Sequence, residues 1–183
     1  ASRGGSGAWP GVCATQAARA RTGAWCCTEH YGLTPDIRTI AKGIASGYPR
    51  GAGAAQTDLW DKGLPGSRGG TYGGNAVACS AGVATIDALR DEGMLQNAAR
   101  QGTKLKEFFD GTQATYPCIG EVRGKGLMLA IECCKPGTKE PDAAVAKTFI
   151  AECAQRKLIL MGAGSFGTCR SEAQPSELQS LTN

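Results

Sequence analysis

The sequence predicts an α/β fold, because short segments typical of strands alternate with longer segments typical of helices. Residues 37–40 and 158–161 are short apolar runs of strand length, and residues 127–131 alternate in polarity. Between them, residues 75–109 form a long helical stretch that Gly93 interrupts. Strands and helices that alternate along one chain favour a sheet with helices packed on it.

The first half of the chain carries one strand and one helix with clear signals. Residues 1–20 contain turn-forming residues without periodicity, and the pattern sharpens from Asp36 into a strand at 37–40. Leu59 and Trp60 are expected to begin a short helical turn. Asn75 is a favourable N-cap for a helix that runs to about Asp91. The apolar face expected for this helix consists of Val83, Ile86 and Leu89.

The second half is predicted to contain two helices and two strands. A helix from Met94 to about Phe109 is followed by the strand at 127–131 and a turn at 135–138. Pro141 and Asp142 then start a helix, and residues 158–161 form the last strand. Two helical faces are expected to be apolar: Ala98, Leu105, Phe108 and Phe109 on the first, and Val145, Phe149 and Cys153 on the second.

Composition excludes several classes of function. The net charge is +4, and basic and acidic residues are mixed, so no basic stripe favours nucleic acid. No apolar run approaches the roughly 18 residues of a membrane span, and the first twelve residues lack the apolar core of a signal peptide. The nine cysteines include no Cys-x-x-Cys pair and His30 is the one histidine, so no zinc site is expected, whereas free thiols in a reducing compartment are. The alternative, a secreted disulfide scaffold, is typical of much shorter chains.

Lys42 is the strongest candidate for chemistry. It lies at the end of the apolar run 37–40 and just before a glycine-rich turn. In a partly dry pocket, desolvation favours the neutral amine of a lysine. A neutral amine can form a Schiff base with an aldehyde cofactor. On its own, a lysine between alanine and glycine is far more often a solvated side chain.

A glycine-rich loop at residues 69–75 follows Lys42 and is suited to a phosphate. Thr71 offers a hydroxyl, and Gly70 lets the backbone come close to an anion at the start of the predicted helix. The alternative is a plain glycine-rich turn capped by Asn75. A Schiff-base lysine together with a phosphate loop points to pyridoxal phosphate chemistry.

Six sequence blocks, in order and at matching spacing, resemble the class III (omega-amino acid) aminotransferases, most closely those of the 4-aminobutyrate type. The blocks are residues 21–25, 29–32, 35–37, 41–43, 69–75 and 122–128. The resemblance implies fold-type I, with residues 1–90 as the end of the large cofactor domain and residues 91–183 as a small C-terminal α+β domain. It also implies that this chain is a C-terminal portion, because family members are more than twice as long.

The resemblance further implies roles for individual residues. Lys42 would bind pyridoxal 5'-phosphate and transfer a proton, and Thr71 and Gly70 would bind the phosphate of the neighbouring subunit in a homodimer. Gln16 would lie near the phenolic oxygen of the cofactor, and Arg170 would bind the substrate carboxylate. Without the family register, Gln16 is a glutamine in a polar stretch and Arg170 a surface arginine. No metal is implied.

The implied reaction transfers a terminal amino group from an omega-amino acid such as 4-aminobutyrate to a 2-oxo acid such as 2-oxoglutarate. The implied location is the cytoplasm or the mitochondrial matrix. Some positions depart from the family: Cys13 stands where an aspartate is expected, and Arg68 where a histidine is expected. A second hypothesis is therefore an inactive aminotransferase-like fragment that serves as a structural subunit of a larger assembly.

Overall fold

The computed structural model describes residues 13–16, 20–164 and 168–171. The glycine-rich start and the polar end of the sequence lie outside the described residues. The chain forms two compact units. The first contains residues 13–16 and 24–92, and the second contains residues 20–23 together with the described residues from 93 onward.

The first unit contains a three-stranded sheet in the order β1-β2-β3. Its strands are β1 (Cys13–Gln16), β2 (Ile37–Ile40) and β3 (Ala52–Ala55). Strands β1 and β2 are parallel, with Gln16 opposite Ile40, and β3 is antiparallel to β2. Strand β2 has the predicted bounds. Strand β3 was not predicted, because its alanines and glycine have low strand propensity.

Two 3₁₀ turns and two helices complete the first unit. The turns are Cys27–Tyr31 and Lys42–Ala45, and the helices are α1 (Thr57–Trp60) and α2 (Ala76–Asp91). The Asn75 side chain accepts a hydrogen bond from the Ala78 N–H at 3.0 Å, so the predicted N-cap is confirmed. The short helical turn was expected to begin at Leu59 and Trp60. In the structure it begins at Thr57, directly after its N-cap residue Gln56, and ends at Trp60.

The core of the first unit forms where helix α2 meets the 3₁₀ turn at 42–45. Ile40, Ile44 and Ala45 are buried, with Ala81 of α2 packed against them. The predicted face of α2 was wrong at Val83, which is 61% exposed. The helix buries Ala78, Gly82 and Leu89 instead. A Cβ at Gly82 would lie 3.6 Å from the Ile44 carbonyl oxygen, an ordinary contact distance, so the helix packs closely on the turn at this position.

The second unit contains a four-stranded antiparallel sheet in the order β4-β5-β7-β6. Its elements are α3 (Met94–Gln113), β4 (Ile119–Lys125), β5 (Met128–Cys133), α4 (Ala143–Gln155), β6 (Leu160–Ala163) and β7 (Thr168–Ser171). Helix α3 runs four residues beyond the predicted end at Phe109, and β6 begins two residues later than expected. Strand β7 lies where no strand was predicted.

Apolar side chains of α3, α4 and the sheet form the core of the second unit. Ile131, Cys133, Ala146 and Cys169 are buried, and Phe109, Val145 and Phe149 pack against them. Asp142 caps α4 by accepting hydrogen bonds from the N–H groups of Ala144 and Val145 at 3.0 and 3.1 Å. The expectation for Phe108 was wrong, because it is 63% exposed.

Two of the sequence blocks pack directly on each other in the second unit. The Leu127 N–H donates to the Arg21 carbonyl oxygen at 2.9 Å. A Cβ at Gly126 would lie 2.5 Å from the Thr22 carbonyl carbon, and one at Gly102 of α3 would lie 2.2 Å from the Gly126 carbonyl carbon. Residues 122–125 belong to β4, and Gly126 and Leu127 form the turn between β4 and β5.

No helix in the described part of the chain is long and apolar enough to cross a membrane. Eight of the nine cysteines lie in this part with described side chains, and all eight are free thiols. Buried cysteines such as Cys133 and Cys169 pack as small apolar residues.

Candidate functional site

The carboxyl edge of strands β1 and β2 brings two of the predicted site residues together. Gln16 ends β1 opposite Ile40 of β2, and Lys42 follows Ile40 by two residues. The two strands are parallel, so their carboxyl ends lie at the same edge of the sheet. In open α/β sheets, ligands bind outside this edge.

Lys42 lies in a strained backbone conformation. Its φ angle is +56°, a left-handed value that is uncommon for residues with a Cβ. The turn continues through Ser46, whose φ angle of +46° is also left-handed. Such strain persists only where the surrounding structure imposes it, and it clusters at functional sites. Here the buried side chains of Ile44 and Ala45 fix the turn against α2.

The Lys42 side chain is exposed within the described residues. The partly dry pocket expected from the sequence is therefore not formed by these residues. Ala41 and Gly43 are exposed as well, because only Ile44 and Ala45 of the turn enter the core. A dry environment for the Lys42 amine requires a bound group or protein atoms beyond the described part of the chain.

The loop at residues 69–75 forms the other half of the candidate site. The Gly73 N–H donates to the Gly70 carbonyl oxygen at 2.8 Å, and the Asn75 N–H donates to the Tyr72 carbonyl oxygen at 3.2 Å. Thr71 is exposed at the centre of this turn, and helix α2 begins directly after Asn75. The positive end of the helix dipole and an exposed hydroxyl suit an anion such as phosphate.

Arg170 lies in the second unit and not in the unit that contains Lys42. It is half-buried in strand β7, opposite Ala130 of β5 and Met161 of β6. Its role toward a substrate carboxylate stays a prediction.

Arginine contacts in the first unit were not predicted from the sequence. The Arg50 guanidinium donates a hydrogen bond to the Cys79 thiol of α2. The same side chain passes over Gly82, where a Cβ would lie 3.4 Å from the Arg50 Cδ. Arg50 thereby ties the segment after the Lys42 turn to the first half of α2. Nothing in the local pattern distinguishes Arg50 from an ordinary surface arginine.

The second unit has an open cleft of about 580 Å³, whose lining includes Glu121, Arg123 and Glu132. These three charged side chains pair with each other, because Arg123 donates to Glu121 at 3.1 Å and also to Glu132. Glu132 accepts from the Thr168 hydroxyl at 2.8 Å. Although burial opposes ionisation, the hydrogen bonds from Arg123 and Thr168 hold the pKa of Glu132 below its usual value. This network stabilises the hairpin and indicates no ligand.

The model of the family Aminotransferase class-III matches residues 15–172. The chain is 36% identical over 152 residues to the 5-aminovalerate aminotransferase DavT of Pseudomonas putida, an alignment that covers 83% of this chain and 36% of that protein. It is also 36% identical over 152 residues to the 4-aminobutyrate aminotransferase GabT of Escherichia coli, covering 82% of this chain and 36% of that protein.

Among solved structures, an aminotransferase of Bacillus anthracis superimposes with a TM-score of 0.79 at 26% identity. The superposition covers 92% of this chain and 42% of that one. The chain thus spans about a third of the length of these curated relatives.

Proposed function

This chain belongs to the class-III aminotransferases, and we propose that it is the C-terminal part of an enzyme that uses pyridoxal 5'-phosphate. The proposed reaction moves a terminal amino group from an omega-amino acid such as 4-aminobutyrate to a 2-oxo acid such as 2-oxoglutarate. The predicted α/β, fold-type I architecture is confirmed by the similarity to solved aminotransferases. The division into residues 1–90 of a large domain and 91–183 of a small domain stays a prediction.

The observation that carries the proposal is the position of Lys42 in a strained turn at the carboxyl edge of a parallel strand pair. The exposed amine is accessible to an aldehyde. The Thr71 hydroxyl and the backbone beside Gly70 belong to the exposed loop that leads into the N-terminus of α2, and helix N-termini favour anions. In a homodimer, Lys42 of one subunit and the Thr71 loop of the other would together fit a phosphorylated aldehyde. Gln16, at the end of β1, lies at the same edge of the sheet as Lys42.

Pyridoxal 5'-phosphate, when bound, supplies an aldehyde that reacts with amines and a ring that withdraws electrons. The contribution of Lys42 is its Nζ, which binds the aldehyde and, once released, holds and moves a proton next to the substrate. Thr71 orients the cofactor by binding its phosphate. Arg170 is suited in chemistry to a carboxylate because its guanidinium can donate two parallel hydrogen bonds.

Cys13 in β1 limits the proposed chemistry. The family resemblance places an aspartate at this position to balance the positive ring nitrogen. A thiol is a weaker charge partner than a carboxylate, so we expect Cys13→Asp to increase the rate of amine transfer in any form of the protein that binds the cofactor.

We also propose that the functional form is a homodimer. The Thr71 loop is exposed in the described chain, and the family resemblance assigns its phosphate to the neighbouring subunit. Cofactor binding should then increase with protein concentration, because one copy would complete the site of another.

A cofactor titration followed by absorbance tests the proposal. The wild-type chain should develop the visible band of a lysine adduct, and addition of 4-aminobutyrate should remove it. Lys42→Ala should abolish the band, whereas Lys62→Ala, which removes an exposed lysine of the same unit, should preserve it. Thr71→Val should weaken binding and Thr71→Ser should retain it. A wild-type chain without a band would favour the inactive, structural fragment instead.

A further inference from the structure

The segment between α1 and the Thr71 loop is fastened by one side-chain contact, which we call the Arg68–Trp60 clamp. The Arg68 Cζ lies 4.2 Å from the centroid of the Trp60 ring, within the range of a cation–π interaction. The Arg68 Nη2 also donates a hydrogen bond to the Trp60 carbonyl oxygen. One residue thus binds both the ring and the backbone of the other.

Gly63 makes room for the clamp. A Cβ at position 63 would lie 1.7 Å from the Arg68 Nη2 and 2.6 Å from its Cζ. The Gly63 N–H also donates to the Trp60 carbonyl oxygen, at 3.2 Å. The segment 60–68 is therefore folded back on itself, and a residue larger than glycine at position 63 would displace the guanidinium.

Trp60 connects the clamp to the sheet. A Cβ at Gly53 of β3 would lie 3.4 Å from the Trp60 Cη2, so the ring lies against this strand. Gly53 is paired with Thr39 of β2, the strand that leads to Lys42. At its other end, Arg68 immediately precedes the loop at 69–75. A continuous line of contacts therefore runs from the Lys42 strand through Gly53, Trp60 and Arg68 to the Thr71 loop.

We propose that Arg68 is a positioning residue that fixes the Thr71 loop relative to the sheet through Trp60. This inference rests on the proposed function, in which Thr71 binds the cofactor phosphate. A cation three residues before Thr71 could instead bind the phosphate directly. The Arg68 guanidinium, however, lies on the Trp60 ring and donates to the Trp60 carbonyl oxygen, so it is bound by Trp60.

Limited trypsin digestion of the 183-residue chain tests the clamp without any cofactor. Trypsin cleaves after Arg68, and cleavage after the exposed Lys157, in the turn that follows α4, serves as an internal reference. Loss of an exposed cation–π contact should raise the relative rate after Arg68 about two- to fivefold in Trp60→Leu. Trp60→Phe, which keeps a weaker aromatic face, should give an intermediate rate. Equal relative rates in wild type and Trp60→Leu would overturn the clamp.

A double-mutant cycle on the affinity for pyridoxal 5'-phosphate tests the positioning role. Arg68→Ala and Trp60→Leu should each weaken binding about two- to fivefold, the range of an exposed cation–π contact. The double variant should bind no more weakly than Arg68→Ala alone, because Arg68→Ala already removes both the cation–π contact and the hydrogen bond to the Trp60 carbonyl oxygen. Arg90→Ala removes an exposed arginine at the far end of α2 and should leave the affinity unchanged.

The remaining outcomes of these two experiments distinguish the positioning role from direct phosphate binding and from failure of the proposed function. Loss of affinity in Arg68→Ala but not in Trp60→Leu would show a direct phosphate ligand and overturn the positioning role. Additive losses in the double variant would overturn it as well. No binding by the wild-type chain would overturn the proposed function, and the positioning role with it, whereas the trypsin result would still decide whether the clamp exists.

Discussion

Replacing Gly102 with alanine should destabilise the second unit, although the same substitution usually stabilises a helix. Gly102 lies in the middle of α3, where alanine is favoured over glycine by about 1 kcal/mol. The new Cβ, however, would lie 2.2 Å from the Gly126 carbonyl carbon and 2.3 Å from its oxygen. Ordinary contact begins near 3.4 Å, so the two backbones must separate by roughly 1 Å.

Gly126 cannot move away easily, because it is confined on its other side. A Cβ at Gly126 would lie 2.5 Å from the Thr22 carbonyl carbon, and its φ angle is +53°. Overpacking between backbones on both sides is at the upper end of the usual range, about 3 kcal/mol. After subtracting about 1 kcal/mol of helix propensity, the net loss is about 2 kcal/mol.

Gly111→Ala is the matched control, because it lies in the same helix and a Cβ there would meet nothing within 4 Å. It should stabilise the protein by about 0.5–1 kcal/mol. Urea unfolding, followed by far-ultraviolet circular dichroism, measures the stability of both variants. Relative to the wild type, the unfolding midpoints of Gly102→Ala and Gly111→Ala should shift in opposite directions. A Gly102→Ala protein as stable as the wild type would refute the packing argument.

Three further predictions concern single side chains. Asp142→Ala should cost about 1 kcal/mol in urea unfolding, whereas Asp142→Asn should cost only a few tenths, because asparagine also caps helices; equal losses would contradict the cap. Burial opposes ionisation of Glu132, but the hydrogen bond from Arg123 lowers the pKa of this carboxyl group. The ionised Glu132 side chain therefore contributes its full stabilisation above about pH 4.3, and this stabilisation is lost as the pH falls through the lowered pKa. Glu132→Gln should therefore flatten the acid side of the stability profile, and an unchanged profile would speak against this pairing. Iodoacetamide should alkylate exposed Cys27 well before Cys169, which is 1% exposed; similar rates, measured by mass spectrometry, would contradict the described burial.

Elements with strong local signals were predictable from the sequence. The apolar run at 37–40 predicts β2, Asn75 predicts the start of α2, and Asp142 predicts the start of α4. Each of these signals acts within one turn of the chain, through side-chain burial or capping. Gly93 likewise predicts the break between α2 and α3. In the structure its φ angle is +65°, a left-handed value that glycine adopts easily.

Features that depend on tertiary contacts were not predictable. Strand β3 has almost no strand propensity and forms because β2 pairs with it. Helix α2 exposes Val83 and buries Gly82, because the side that contains Gly82 packs on the Arg50 side chain and the turn at Ile44. No periodicity in one segment contains that information.

The candidate site likewise contains some features that were predictable from the sequence and others that were not. The position of Lys42 after a strand and that of Thr71 before a helix followed from their neighbours in the chain. The left-handed backbone of Lys42 belongs to a turn that is held by the packing of Ile44 and Ala45 against α2. The Arg68–Trp60 clamp joins two residues eight positions apart, and its ring lies against Gly53 of β3. The local sequence pattern contains neither set of contacts.

The central claim is that Lys42 is the lysine that binds pyridoxal 5'-phosphate. Borohydride reduction of the chain with equimolar cofactor, followed by peptide mass mapping, tests it most directly. A stable phosphopyridoxyl group is expected on the peptide that contains Lys42, at much higher occupancy than on exposed Lys62. Label spread evenly over the exposed lysines, or absent from Lys42, would contradict the claim.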